Sequence, residues 1–581
     1  MQQTVGASLR TSVGQTRLLL RDPILLIVVL ISIVFVLIGI AMPLLSMIVE
    51  SVSPQGIALF ERYLGQTVYQ NIILNTIVLG VTVALCGTAV GFLFAFVQVK
   101  LDVPFKRFMH IVALIPVVSP PFAVATSMIV LFGRSGVISR GIFGVRADIY
   151  GLGGLTVVMT MSFFTIAYIN LKGMMEALDP ALDEAATNLG ASRWRVFRTV
   201  TLPMLVPGLA SSFLLLFVEA IADLGNPLVL GGNYEVLATR VYITIIGLYD
   251  TTGAAVLSVI LLVPSLTVYI IQRYWVSRAS VVSVTGKPSG TPQTISHPLV
   301  RWGLFALVMG FCLLIVLVYG MIIYGAFVEV PGVRNVFTLR NFDFVINGIG
   351  RQAMGDTTRL SLIATPLAGL LGMIIAYLVV RTKLIGRALL DFGTMLGIAL
   401  PGTIIGIGYV LVFNNPIIVS LPMIGDITLI PKLTGGQGLL GGAAVIVLVF
   451  VVRSAPAALR SGAAALSQID PAIEEASVSL GADNARTFRR ITLPLIRPAF
   501  LAGLIYAFAR SMTTISAIVF LTTPQTKIMT QQILNEVENG RYGNAFAYCV
   551  LLILIVMAAI ALLYLIVGSR TGAERTIEGG R

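Results

Sequence analysis

The sequence predicts an all-α polytopic membrane protein with about twelve transmembrane helices in two parallel six-helix repeats. Composition is the first observation: 57% of residues are hydrophobic and 11% are charged, where a soluble chain carries about 25% charge. The second is a recurrence of apolar runs of roughly 20 residues, long enough to cross a bilayer. They begin near residues 23, 72, 109, 151, 206, 252, 301, 358, 388, 438, 498 and 544. The third is internal repetition: Asp179 to Pro207 matches Asp470 to Pro498 at 15 of 29 positions. Six runs per half give the two repeats the same orientation, related by an axis along the membrane normal.

The first run, Pro23 to Val49, follows a basic arm containing Arg10, Arg17 and Arg21. It is longer than the apolar core of a cleavable signal, so it reads as a retained crossing. With the N-terminus in the cytoplasm, 26 Lys and Arg fall on the inner side and 12 on the outer side, and Arg510 lies within a run. Positive charge on the inner loops accounts for the net charge of +13 without any nucleic acid. Both termini are then cytoplasmic.

Residues 1–70 read as the arm, the first helix and an outer loop, and 71–272 as a first membrane domain. Residues 273–300 form a linker rich in Ser, Thr, Pro and Gly. Residues 301–355 hold the seventh helix and its loop, 356–567 a second domain, and 568–581 a polar tail. The halves align at an offset of 281 through Asn75-Thr76 with Asp356-Thr357, Gly91 with Gly372, Lys100 with Arg381, Pro120 with Pro401 and Phe132 with Phe413. The later offset is 291, which places the extra residues in the outer loops 133–150 and 414–437, where insertions are tolerated. Pro116, Pro120 and Pro121 in the third run, and Pro401-Gly402 in the ninth, predict helix breaks.

Cys86, Cys312 and Cys549 each sit in an apolar run, without the spacing of a metal site or a disulfide framework. With His110 and His297 the only imidazoles, no dedicated metal cage is expected.

The repeated segment is polar and basic inside a greasy chain. Asp179-Pro180 and Asp470-Pro471 are N-caps followed by a first-turn proline. The helices they open run through Glu184-Ala185 and Glu475-Ala476 and end at Gly190 and Gly481, suited to a left-handed C′ position. Second short helices open at Ser192 and Asp483, carry Arg195, Arg198, Arg486 and Arg489, and stop at Pro203 and Pro494. Such a unit could lie on lipid headgroups. The joint demand for caps, glycine and proline points instead to a rigid knob, presented twice to a soluble partner.

EAA-x3-G-x9-V-x-LP, from Glu184 to Pro203, resembles the coupling-loop signature of ABC importer permeases that work with binding proteins. The copy from Glu475 to Pro494 departs only at Ser477. The resemblance implies the type I ABC importer permease fold, with the loops seated in clefts of a homodimeric ATPase at the cytoplasmic face. It implies one permease chain per transporter, a periplasmic or extracellular binding protein, and a place in the bacterial inner membrane. No G-x4-G-K-[ST] loop occurs, and Gly286-Lys287 stands in the linker. ATP and Mg are expected on the partner, with no cofactor and no catalytic residue in this chain.

Glu219, Asp223 and Arg510 lie within apolar runs, where lone charges are costly. Glu219 and Arg510 occupy equivalent positions at the offset of 291, so an ion pair at the seam between halves is expected. Asp223 lies one turn further along, before a helix break at Gly225-Asn226-Pro227. Glu219, Asp223, Asn226, Arg510 and Thr514 are candidates for the seam or the translocation path, and the two readings are compatible. Residues 218–232 (VEAIADLGNPLVLGG) and 511–521 (SMTTISAIVFL) resemble ferric-iron permeases. Related permeases for thiamine, aminoethylphosphonate, sugar phosphates or polyamines share the architecture. An ion-driven secondary transporter also fits twelve runs in parallel repeats, but has no reason to build the paired loop.

Overall fold

Close approach between helices is set by small residues at matching places in the two halves. The computed structural model describes residues 23–120, 122–274, 297–382, 384–421 and 425–578. The first half comprises α1 (Leu25–Ser51), α2 (Thr67–Lys100), α3 (Lys106–Val118), α4 (Ala123–Phe132), α5 (Leu152–Ala177), α6 (Pro180–Asn188), α7 (Leu202–Ala222), α8 (Gly225–Leu230), α9 (Leu237–Gly247) and α10 (Thr251–Tyr274). The second comprises α11 (Pro298–Ala326), α12 (Gly350–Arg381), α13 (Arg387–Ala399), α14 (Gly402–Phe413), α15 (Ala443–Gln468), α16 (Pro471–Ser479), α17 (Leu493–Thr513), α18 (Met529–Glu538) and α19 (Tyr542–Glu578). A Cβ on Gly91 of α2 would meet Ala167 Cβ at 2.6 Å and Tyr168 N at 2.8 Å on α5. A Cβ on Gly372 of α12 would meet Ala458 Cβ at 2.5 Å and Leu459 N at 2.8 Å on α15. The same pair of contacts recurs at offsets of 281 and 291, so the alignment holds in three dimensions on both sides of the insertion.

Among the described residues ten helices are long and apolar enough to cross a membrane, and twelve crossings result if each of two bent pairs is one. The pair α3–α4 bends by 109° and α13–α14 by 106°. Packing decides how to count them. Helices α2 and α5 run parallel, with Thr82 midway along α2 beside Thr156 near the start of α5 (3.4 Å), and Lys100 at the end of α2 paired to Asp183 just beyond the end of α5 (2.6 Å). The chain must therefore return across the layer between Lys100 and Leu152, and only α3–α4 can carry it. Each bent pair is one broken crossing. Pro120 and Pro401 lie at the breaks as expected, but Pro116 stays inside α3. Pro121, the arginines of the N-terminal arm and linker residues 275–296 lie outside the described residues.

Each half sends its first crossing onto the other half. In α1 a π turn over Leu37–Ala41 offers the Gly39 carbonyl to the Tyr409 hydroxyl of α14 (2.7 Å). In α11 the Val318 carbonyl accepts from Ser127 of α4 (2.8 Å), and the Tyr319 hydroxyl lies 2.6 Å from that of Ser119. Two short antiparallel hairpins depart from an all-helical fold: β1 (Val328–Val330) with β2 (Arg334–Phe337), and β3 (Ile417–Leu421) with β4 (Gly425–Ile430). Both lie in loops away from the repeated segment. Helix α19 runs past Gly568 into the polar tail without a break.

Candidate coupling surface and charged seam

The repeated segment folds twice into one unit. Asp179 accepts from Ala181 N (3.0 Å) and Asp470 from Ala472 N (3.0 Å), capping α6 and α16. At their other ends Gly190 and Gly481 take φ of +84° and +87°. The N–H groups of Gly190 and Ala191 return to Thr187 O and Ala186 O, and those of Gly481 and Ala482 to Val478 O and Ser477 O. This is the paired closure of a Schellman end, which demands the left-handed residue. Ser192 then caps Arg193–Val196, and Asp483 caps Asn484–Thr487.

The expected proline stop does not occur. Both short helices pass through π turns, Phe197–Thr201 and Phe488–Thr492, directly into α7 and α17. Proline lacks the N–H that would bond four residues back, and its ring crowds that carbonyl. Widening the preceding turn makes room, so Leu202 N bonds Phe197 O and Leu493 N bonds Phe488 O.

What fastens each unit to the membrane helices is a carboxylate that the signature does not contain. Asp183 pairs with Lys100 of α2 (2.6 Å) and accepts from Thr201 (3.2 Å). Glu474 pairs with Arg381 of α12 (3.3 Å) and accepts from Thr492 (2.8 Å). Ring contacts repeat the attachment, Phe96 with Phe197 at 5.6 Å and Tyr377 with Phe488 at 5.3 Å. Ser477, where the second signature departs from the first, bonds Thr487 (2.9 Å) at the positions filled by Ala186 and Val196 in the first unit. A hydrogen-bonded polar pair thus stands where the first unit has two apolar residues.

Glu184, Ala185, Gly190, Arg195, Arg198 and Pro203 are all exposed, as are Glu475, Ala476, Gly481, Arg486, Arg489 and Pro494. The most exposed apolar side chains here are not among the residues the sequence pattern singles out: Leu189 and Leu480, each 89% exposed at equivalent positions, and Trp194 near the first. A leucine immediately before each signature glycine was the available signal.

At the seam, Arg510 of α17 faces Glu219 of α7 across 3.6 Å, as the equivalent positions predict. Helix α7 ends at Ala222, and Asp223 accepts from Gly225 N (3.3 Å), Asn226 N (3.2 Å) and Asn226 Nδ2 (2.7 Å), holding the start of α8. Thr514, its counterpart, bonds the Arg510 carbonyl through its hydroxyl and receives the Thr530 hydroxyl on its own carbonyl (3.0 Å). A fourth charge, which the sequence pattern does not single out, joins them. Arg453 of α15 is buried and donates to Gly397 O (3.2 Å) and Leu400 O (2.7 Å), at the break before Pro401. A crossing of about 20 residues from 438 would leave it near the end, but α15 continues to Gln468 and surrounds it. Among the described residues no three His, Cys, Asp or Glu side chains converge as a metal cage.

Residues 87–281 and 368–570 each match the family described as binding-protein-dependent transport system inner membrane component. The chain is 35% identical over 542 residues to the ferric transport system permease protein FbpB of Actinobacillus pleuropneumoniae, covering 89% of this chain and 74% of that protein. A putative ferric transport system permease protein, FbpB 1 of Haemophilus influenzae, is 33% identical over 502 residues, 82% of this chain and 74% of its own length. The molybdenum transport system permease protein ModB of Escherichia coli is 30% identical over 198 residues, 33% of this chain but 85% of that protein. A relative that fills one half, others that run through both, and two copies of one coupling unit agree: the chain belongs to the binding-protein-dependent transport inner-membrane family, as a fused two-domain permease of the ABC importer type.

Proposed function

We propose that this permease moves ferric iron into the cytoplasm, driven by a homodimeric ATPase on another chain and supplied by a binding protein on the outer face. The observation that carries the reading is the pair of identically built units, each presenting one exposed leucine at the end of a capped helix. Two sockets related by a dimer axis need two plugs related by a pseudo-axis, and one chain has both. The face bearing α6 and α16 is then cytoplasmic, with both termini on that side, in a bacterial inner membrane. ATP and Mg are held by the ATPase, and this chain contributes no catalytic residue. The iron-named relatives, which cover most of the chain, support the cargo.

The geometry supplies the linkage. Glu184, Ala185, Gly190, Arg195, Arg198 and Pro203, with Glu475, Ala476, Gly481, Arg486, Arg489 and Pro494, form the docking surfaces. When the ATPase dimer closes, each unit is carried with it. The Lys100–Asp183 and Arg381–Glu474 pairs transmit that shift to α2 and α12. The continuous π-turn junctions transmit it to α7 and α17, which carry Glu219 and Arg510 at the seam. Purified complex in proteoliposomes, with ATP reaching the ATPase, should accumulate iron-55 delivered by its binding protein. Accumulation of molybdate or a sugar phosphate with no iron would overturn the cargo and leave the permease reading standing.

A further inference from the structure

The four charges at the seam are sorted by wall. Glu219 and Asp223 stand on the first half, at and just beyond the end of α7, and Arg453 and Arg510 stand on α15 and α17 of the second. Ser454 and Ser511 meet at 3.4 Å, so the two arginines, one residue earlier on each helix, lie on adjoining turns. On each wall one charge is fixed by a broken helix. Asp223 takes the free N–H groups at the start of α8, and Arg453 takes the free carbonyls at the end of α13. These two are 8% and 4% exposed. The other charge on each wall, Glu219 and Arg510, is left about a quarter exposed. Their separation of 3.6 Å exceeds the 2.7–2.9 Å of a charge-assisted hydrogen bond. Each therefore retains hydrogen-bonding capacity beyond its partner. At the seam, three buried polar atoms have no hydrogen-bond partner among the described residues: Arg453 Nε, Arg510 Nε and the amide oxygen of Asn226.

Resting on the ferric-iron reading, we propose that the seam passes its cargo as a compensated pair. The trivalent cation faces the Glu219 wall, and an oxyanion travels with it against the Arg510 wall. The walls sum to zero, two negative against two positive. A bare trivalent cation between them would be uncompensated in a low-dielectric space, and Arg510 beside Glu219 would repel it. An oxyanion removes both objections, because it lowers the net charge of the cargo and matches the planar fork of a guanidinium. The equivalent places on the first half carry Ser162 and Glu219 where the second carries Arg453 and Arg510, so the polarity belongs to the pair of halves and not to the fold of either.

The test uses the full complex of permease, ATPase and binding protein in proteoliposomes. The binding protein is charged with iron-55 together with phosphorus-32 phosphate, carbon-14 carbonate or carbon-14 citrate, or in buffer free of oxyanions. One of the three labels should enter with the iron in near-equal amount, and iron uptake should fall by about tenfold or more without oxyanion, the effect of losing one charged hydrogen bond. The double variant Glu219→Gln with Arg510→Gln keeps the seam neutral and should lose the co-entering label. Iron entering at an unchanged rate with none of the three labels would overturn the inference while leaving the iron cargo intact. No iron uptake under any condition would overturn the cargo itself, and the inference with it.

Discussion

Gly190 and Gly481 have no atom within 4 Å of where a Cβ would stand, so their left-handed φ is the only constraint the chain itself imposes. Gly190→Ala should cost about 1 kcal/mol of local helix-end stability and little else. Gly190→Asp should leave the melting of the purified permease nearly unchanged while abolishing transport, because the added charge meets the partner and not the chain. Transport at the wild-type rate would remove that loop from the docking surface. At the seam, a gap of 3.6 Å with a quarter of each side chain exposed makes Glu219–Arg510 weaker than a dry ion pair. A double-mutant cycle on detergent-solubilised protein should give a coupling of about 1 kcal/mol, and a value near zero would mean that the two do not meet. Both glycines and this pair were legible because a turn needing positive φ and an offset shared by two repeats are local facts. Asp183 and Glu474 were not. A carboxylate beside the signature glutamate looks like any loop acid, and its partner lies 83 residues earlier in the first half.

At the scale of elements, capping chemistry placed α6 and α16, and apolar length placed the crossings. The proline stop failed because Pro203 and Pro494 can be carried inside a helix whose preceding turn opens to a π turn, an option that residue type does not announce. The exchange of α1 and α11 between halves was equally silent. A helix apolar all round does not say which neighbour it packs on, since lipid and protein offer it similar surroundings. The attachment of α6 to α2 gives a prediction at this scale. Lys100→Met should strand the Asp183 carboxylate and weaken the anchor by roughly 2–3 kcal/mol, so that ATP hydrolysis by the complex continues while transport falls. Lys100→Arg with Asp183→Glu imports the pairing that the second half already uses, Arg381 with Glu474, and should retain transport. Loss in the double variant equal to that in Lys100→Met would show that the pair is not the anchor.

Across the whole molecule, two halves of one chain meet as two subunits would, and the design is quasi-symmetric at the two units proposed to dock on the ATPase and polarised at the seam. The matching units share caps, glycines, leucines and anchors, whereas the seam sets acids on one half against arginines on the other. Repetition in the sequence revealed the first property. The second was half visible, because Glu219 and Arg510 differ at one shared position, and half hidden, because Arg453 sits in a crossing longer than the bilayer requires. That one chain fills both sockets is open to direct weighing. Native mass measurement of the intact importer should return a single permease of 62.1 kDa with two copies of the ATPase subunit. A complex holding two permease chains for two ATPase subunits would contradict it, since four docking units would then compete for two sockets.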